Sequence, residues 1–153
     1  AVPVLMKALA EKGVYEVSDK VKARLQADFW AGWCSEEDTF RTVGEIFADY
    51  HYLCDTHTAV ALEVCRRYQQ ENGDHRMTVT VSTASPYKFP ASVLKAVTGE
   101  TTSDEFAAAE KLEQISGMLM PESLRALKNA EIRFTGLSGK EDLKEYVLST
   151  IGG

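Results

Sequence analysis

Ser82-Thr83-Ala84-Ser85-Pro86-Tyr87-Lys88-Phe89-Pro90 follows an alternating run, Met77-Thr78-Val79-Thr80-Val81, and precedes a helical pattern that begins near Ala91. Alternation of period two predicts a β-strand over 77–82. Small hydroxyl residues at the carboxyl end of a strand stand where open α/β sheets bind ligands in their crevice. The same hydroxyls also serve as local caps for backbone groups, so the residues alone leave both uses of Ser82 and Thr83 open. The two prolines keep the following segment extended and delay the helix. Lys88 adds one cation where the chain leaves the loop.

Outward from this loop the pattern is mostly helical. Residues 2–11 read as a helix stopped at Gly13, and Val14-Tyr15-Glu16-Val17 reads as a short extended piece. Ser18 is placed to cap a second helix that carries Val21, Leu25 and Phe29 toward the interior. Ser35 followed by Glu36, Glu37 and Asp38 is a stronger start signal, because acids in a first turn suit the helix dipole. Thr39, Val43, Ile46 and Phe47 then share one face, and this helix should end near Tyr50. Asp55 or Thr56 starts the next, over roughly 58–70, with Val60, Val64 and Tyr68 on one face and a stop at Asn72-Gly73. Further helices are expected from Pro90 to Val97, from Ser103 or Asp104 to Ser116, from Pro121 to Leu127 and from Lys140 to Leu148, with Arg133-Phe134 weakly extended. One or two short strands make no independent sheet. The pattern therefore predicts a helix-rich α/β fragment with few strands of its own.

Length and composition bound the rest. The chain has 153 residues, 44% hydrophobic and 26% charged, with a formal net charge of -6. That is enough apolar residue for a core, in a length typical of one domain. Acidic residues are dispersed and no basic stripe offers a surface to nucleic acid. The apolar runs are far too short to cross a bilayer, and no signal peptide is evident. Three cysteines at irregular positions (Cys34, Cys54 and Cys65) argue against a disulfide framework and suit a reducing, cytoplasmic setting. Without a Cys-x-x-Cys pair, and with one Asp and one His in the Asp55-x-His57 segment, no metal site is expected. There Asp55 or Thr58 is read as a helix cap and His57 as a local hydrogen-bonding residue. The cysteines are read as free packing residues, and Trp30 and Trp33 as packing or as cover for a domain interface.

Ser82-Thr83-Ala84 followed by Pro86, Lys88, Phe89 and Pro90 resembles the C-terminal motif of the threonine synthases, pyridoxal-phosphate enzymes of the tryptophan-synthase-β fold type. Upstream, Asp55-Thr56-His57-Thr58-Ala59 resembles the family's Asp-x-His-Thr-Ala motif, in the same order and at the same separation. Trp30 to Trp33, with Cys34-Ser35-Glu36-Glu37-Asp38-Thr39, resembles the segment preceding both in the bacterial branch. The resemblance covers most of residues 1–100 and less distinctly the remainder. It implies a fold type II enzyme in which this chain is the C-terminal portion, 1–153, of a protein roughly three times longer. A chain that opens on Ala1 without a methionine agrees with such a cut.

The implied reaction converts O-phospho-L-homoserine and water to L-threonine and phosphate. By the resemblance Thr83 offers its hydroxyl to the pyridine nitrogen of the cofactor, with Ser82 as its neighbour. Lys88 is either a cation for the substrate phosphate or a solvated loop lysine. Asp55, His57 and Thr58 matter to the motif in a role that is read as structural. Many relatives carry histidine where this chain has Ser85, which puts a substrate contact there in doubt. No segment resembles the family's cofactor-linking lysine motif, and the ten glycines form no phosphate-cradling loop. The fragment alone is therefore expected to be inactive and to depend on the N-terminal part of the same enzyme, with self-association possible through uncovered apolar surface. The rival reading is a stand-alone helical interaction or regulatory module without catalysis.

Overall fold

Every regular element among the described residues, 2–133 and 135–151, is helical in this computed structural model. The α-helices are α1 (Val2–Lys12), α2 (Asp19–Asp28), α3 (Glu36–Tyr50), α4 (Thr56–Asn72), α5 (Pro90–Thr98), α6 (Glu105–Ser116), α7 (Glu122–Arg125) and α8 (Leu143–Ile151). Short 3-10 turns cover Pro86–Lys88 and Ala126–Asn129. Two compact units result, Ala1–Leu119 and Met120–Gly153.

The core of the first unit belongs to α3 through α6. Ser35 starts α3 as expected: its hydroxyl accepts from the Asp38 backbone N–H at 3.1 Å, and Glu36, Glu37 and Asp38 occupy the first turn. The helix ends at His51, which takes the left-handed conformation that a helix stop requires, with φ of 54°. Packed faces run from α3 to both α4 and α5, and from α5 to α6. Val43, Leu53, Ala59, Val93, Leu94, Ala108 and Leu112 lie inside. Helices α3 and α5 meet at Gly44, where a methyl group would sit 2.8 Å from the carbonyl oxygen of Ala96. Glycine is needed there for close approach, not for a turn.

A charged clamp closes the α3–α4 contact at its edge. Arg67 of α4 donates to Asp38 at 2.7 Å and to Glu63 at 2.9 Å, while Arg41 of α3 reaches Asp38 at 2.7 Å and Glu63 at 3.4 Å. Arg66 adds a bond to Glu45 at 2.9 Å. The Arg41 guanidinium, the Ser35 hydroxyl and the Arg67 guanidinium hold the Asp38 carboxyl well below its usual range. This clamp explains one departure from the sequence pattern. Val60, Val64 and Tyr68 were expected to share one apolar face of α4; they are half-buried, and the buried residues are Thr58, Ala59 and Glu63. The arginines satisfy Glu63 and so allow an acid on the inner face.

Other expectations fail for want of a neighbour. Val21, Leu25 and Phe29 of the α2 region are 46, 50 and 71% exposed, and neither α1 nor α2 buries any residue. Ser18 stands at the α2 N-cap position but its side chain makes no capping bond. Trp30 packs edge-on against Tyr68 at 5.3 Å, whereas Trp33 is 75% exposed. No strand forms over 77–82 or over 14–17; Met77, Val79 and Val81 are 95, 83 and 70% exposed. A strand needs a second strand to satisfy its backbone, and pattern alone does not supply one.

In the second unit α7 begins after Pro121, and the last helix begins at Leu143, three residues later than expected. Phe134 of the expected Arg133-Phe134 extension lies outside the described residues. No helix among the described residues is long and apolar enough to cross a membrane.

Two outcomes test this packing. Gly44→Ala is expected to destabilise the fold by about 1–3 kcal/mol in urea unfolding, as overpacked interiors do; wild-type stability would show that α3 and α5 do not approach so closely. Because the Asp38 carboxyl titrates lower in the folded chain than in the unfolded one, its contribution is present above about pH 4 and is lost as pH falls below that value. Asp38→Asn should therefore be less stable at neutral pH, and its stability should decline less steeply than wild type between about pH 4 and 2.

Candidate functional site

Asp55 is fully buried and caps α4. Its Oδ1 accepts from the backbone N–H groups of His57 at 2.8 Å and Thr58 at 3.2 Å, and its Oδ2 accepts from the Thr58 hydroxyl. An aspartate with a hydroxyl residue three positions on is thus self-contained: it starts the helix and ties down the side chain of the first turn. The Asp55-x-His57-Thr58 segment therefore forms a cap. His57 stays 60% exposed at its side chain, with Nδ1 3.4 Å from Asp55 Oδ1. Its ring lies against Phe89 of the motif loop, with centroids 5.2 Å apart.

The motif loop attaches to this cap. Ser82 Oγ lies 2.9 Å from Thr58 Oγ1, and Tyr52 O–H donates toward Ser82 Oγ at 3.5 Å. The structure thereby joins Asp55, Thr58 and Ser82, which the sequence separates by 27 residues (82 minus 55). Thr83 is exposed and its hydroxyl makes no hydrogen bond to the described residues. Ser85 caps the following 3-10 turn, accepting from Tyr87 N–H at 3.3 Å. Tyr87 is buried and donates to the Met118 carbonyl, which fastens the middle of the loop beside α6. Lys88 is exposed at the end of that turn.

Two clefts flank the assembly. One, of about 350 Å³, is lined by His57, Cys34, Glu36 and Ser92 among others. The other, of about 340 Å³, is lined by Tyr52, Thr58, Thr80, Ser82, Ile46 and Leu62 among others. The three cysteines are free, and Cys54 is buried, with burial and then the Asp55 charge pushing its thiol up to about 11. A thiol so protonated is no nucleophile at neutral pH. No group of three potential metal ligands occurs among the described residues.

Tyr52 escaped the sequence reading because the segment 52–54 carries no sign of what lies opposite it. Its partner Ser82 is 30 residues away. Thr58 did carry a signal, the Asp-x-x-Thr spacing of a cap, although the bond onward to Ser82 has none. Replacing Asp55 with Ala should cost about 2 kcal/mol or more, since it removes the cap and strands a buried hydroxyl. Asn at position 55 can still cap and should cost clearly less; equal losses for the two in urea unfolding would count against the cap.

A sequence profile described as "Threonine synthase, C-terminal" matches residues 58–147. The chain is 30% identical to Threonine synthase-like 1 of Homo sapiens over 94 residues, which is 61% of this chain and 12% of that protein. With Threonine synthase of Schizosaccharomyces pombe it shares 30% over 89 residues, 58% of this chain and 17% of the relative. For Threonine synthase of Pseudomonas aeruginosa the figures are 31% over 100 residues, 65% and 21%. The matched region thus spans between 12 and 21% of these relatives' length. Among solved structures, a PLP-bound threonine synthase from Brucella melitensis superposes with a TM-score of 0.52 at 23% identity, covering 84% of this chain and 29% of that one. At that identity the likeness is one of fold.

Proposed function

The chain belongs to the threonine synthase C-terminal family, and from that premise we propose that it forms the C-terminal part of a threonine synthase of fold type II, acting with pyridoxal phosphate to convert O-phospho-L-homoserine and water to L-threonine and phosphate. The observation that carries the reading is the family match over residues 58–147. The motif loop supports it with a hydroxyl left free on an anchored segment, Thr83 beside Ser82.

When bound, the cofactor supplies the electron sink for removing protons from the substrate carbons. This chain's part is to hold and orient. Thr83 presents a neutral hydroxyl to the pyridine nitrogen. Asp55, the acid tied to this loop, is already engaged by two N–H groups and the Thr58 hydroxyl, so the loop offers no carboxylate through that route. A neutral donor leaves a ring nitrogen largely unprotonated, which tempers the electron sink and favours elimination and replacement over competing chemistry. Lys88, exposed beyond the fastened Tyr87, is the cation available to a substrate phosphate as a point charge. The cofactor-linking lysine and the phosphate cradle come from the N-terminal part of the same enzyme. The backbone of 77–81 pairs with its sheet there, and the exposed Met77, Val79 and Val81 side chains are covered by it.

In the complete enzyme, Thr83→Ala should weaken pyridoxal-phosphate binding by about five- to tenfold, the effect of one hydrogen bond, and shift the cofactor absorbance band. The 153-residue chain alone should show no such band when mixed with pyridoxal phosphate. An unchanged affinity and spectrum in Thr83→Ala would remove Thr83 from the site.

A further inference from the structure

We propose that Thr58, acting through Ser82, is the positioning residue that sets where the Thr83 hydroxyl points, and that Ser82 is a second positioning residue instead of a cofactor contact. The inference rests on the reading of Thr83 given above and deepens it.

The argument is a count of protons. A hydroxyl carries one proton and donates once, while its oxygen accepts. The Thr58 hydroxyl donates to Asp55 Oδ2, an oxygen of a carboxylate whose other oxygen accepts from two backbone N–H groups. The 2.9 Å contact between Thr58 Oγ1 and Ser82 Oγ must then be a donation from Ser82. That leaves Ser82 without a proton for a ring nitrogen, which is an acceptor. What remains on Ser82 Oγ is accepting capacity, and the Tyr52 O–H points at it from 3.5 Å. Donation therefore runs one way, from Tyr52 to Ser82 to Thr58 to Asp55, and ends on a fully buried group.

Thr83 follows immediately and has its proton free. Of two adjacent hydroxyl residues, one is consumed as an anchor and the other is left to donate outward. The anchor is a residue 4% exposed in the first turn of α4, a helix packed against α3 and tied to it by the Arg67–Asp38 pair. An otherwise irregular segment, 77–84, is thus pinned one residue before the hydroxyl that has to be aimed. Without the pin, Thr83 would sample orientations in which its bond to a ligand is not made, and affinity would fall by the fraction of time it spends there.

The test compares Thr58→Val, nearly the same shape without the hydroxyl, with Thr58→Ser, which keeps it. The Asp55 cap survives in both through the backbone N–H bonds. Backbone amide order parameters at positions 82–84 are measured by NMR relaxation, and pyridoxal-phosphate affinity by titration, both on the complete apoenzyme. Thr58→Val is expected to lower the order parameters at Thr83 and Ala84 from about 0.85 to below about 0.6 and to lower cofactor affinity about fivefold, with Thr58→Ser close to wild type in both. Ser82→Ala should match Thr58→Val, and the double variant should be no worse than either single one. Thr83→Ala should lower affinity while leaving the order parameters unchanged.

Unchanged order parameters in Thr58→Val overturn the proposal, as do lowered ones with wild-type cofactor affinity. Affinity lost in Ser82→Ala but kept in Thr58→Val would make Ser82 a direct contact and overturn it too. If Thr83→Ala alone has no effect on affinity, the reading of Thr83 fails and the positioning role falls with it, whereas the order parameters still show whether Thr58 anchors the loop.

Discussion

A single buried carboxylate organises the part of this chain that carries chemistry. Asp55 has no exposure and forms bonds with both its oxygens, two of them to the N–H groups that the start of a helix otherwise leaves unpaired. Burying such a group is costly unless its partners are present, and here they are supplied by the next three residues of the same chain. The start of α4 is thereby set to the residue. From that start follows which face of α4 meets α3, and so the placing of Thr58, Ala59 and Glu63 on the inside. The same carboxylate accepts from the Thr58 O–H, which orients the hydroxyl that holds Ser82. Cap, helix face and loop position are three consequences of one set of bonds.

The α3–α4 contact depends on a second polar arrangement. An interior acid at Glu63 is tolerable because Arg67 and Arg41 are bonded to it and to Asp38. Exposed ion pairs contribute little one at a time, but these share partners across two helices and fix their register. Apolar packing does the rest, through Val43, Leu53, Val93 and Leu112, and through the absence of a side chain at Gly44. By contrast, α1 and α2 bury nothing, and Met77, Val79 and Val81 face outward.

Helix boundaries were largely legible because caps are local. Ser35 with its acids, Asp104 before α6, Gly73 after α4 and Pro90 at the head of α5 each act within four residues of the end they mark. What was illegible required a partner distant in sequence. The alternation over 77–82 announces a strand, yet none forms without a neighbouring one. The periodicity of α2 pointed Val21 and Leu25 inward, yet both stay about half exposed. On α4 the apolar pattern lost to a buried acid, because the arginines that satisfy it lie partly on another helix.

The motif residues divide in the same way. Their identities and order, Asp55-Thr56-His57-Thr58 and then Ser82-Thr83, were enough to indicate the family and to single out the hydroxyls. Local spacing also made Asp55 a cap, since an aspartate reaches the N–H groups two and three residues on wherever a helix begins. Only the tertiary structure decided that the Ser82 hydroxyl lies against Thr58 while that of Thr83 lies free. Two adjacent hydroxyls are equivalent along a sequence. They become different when a helix 24 residues upstream accepts a hydrogen bond from one and leaves the other exposed.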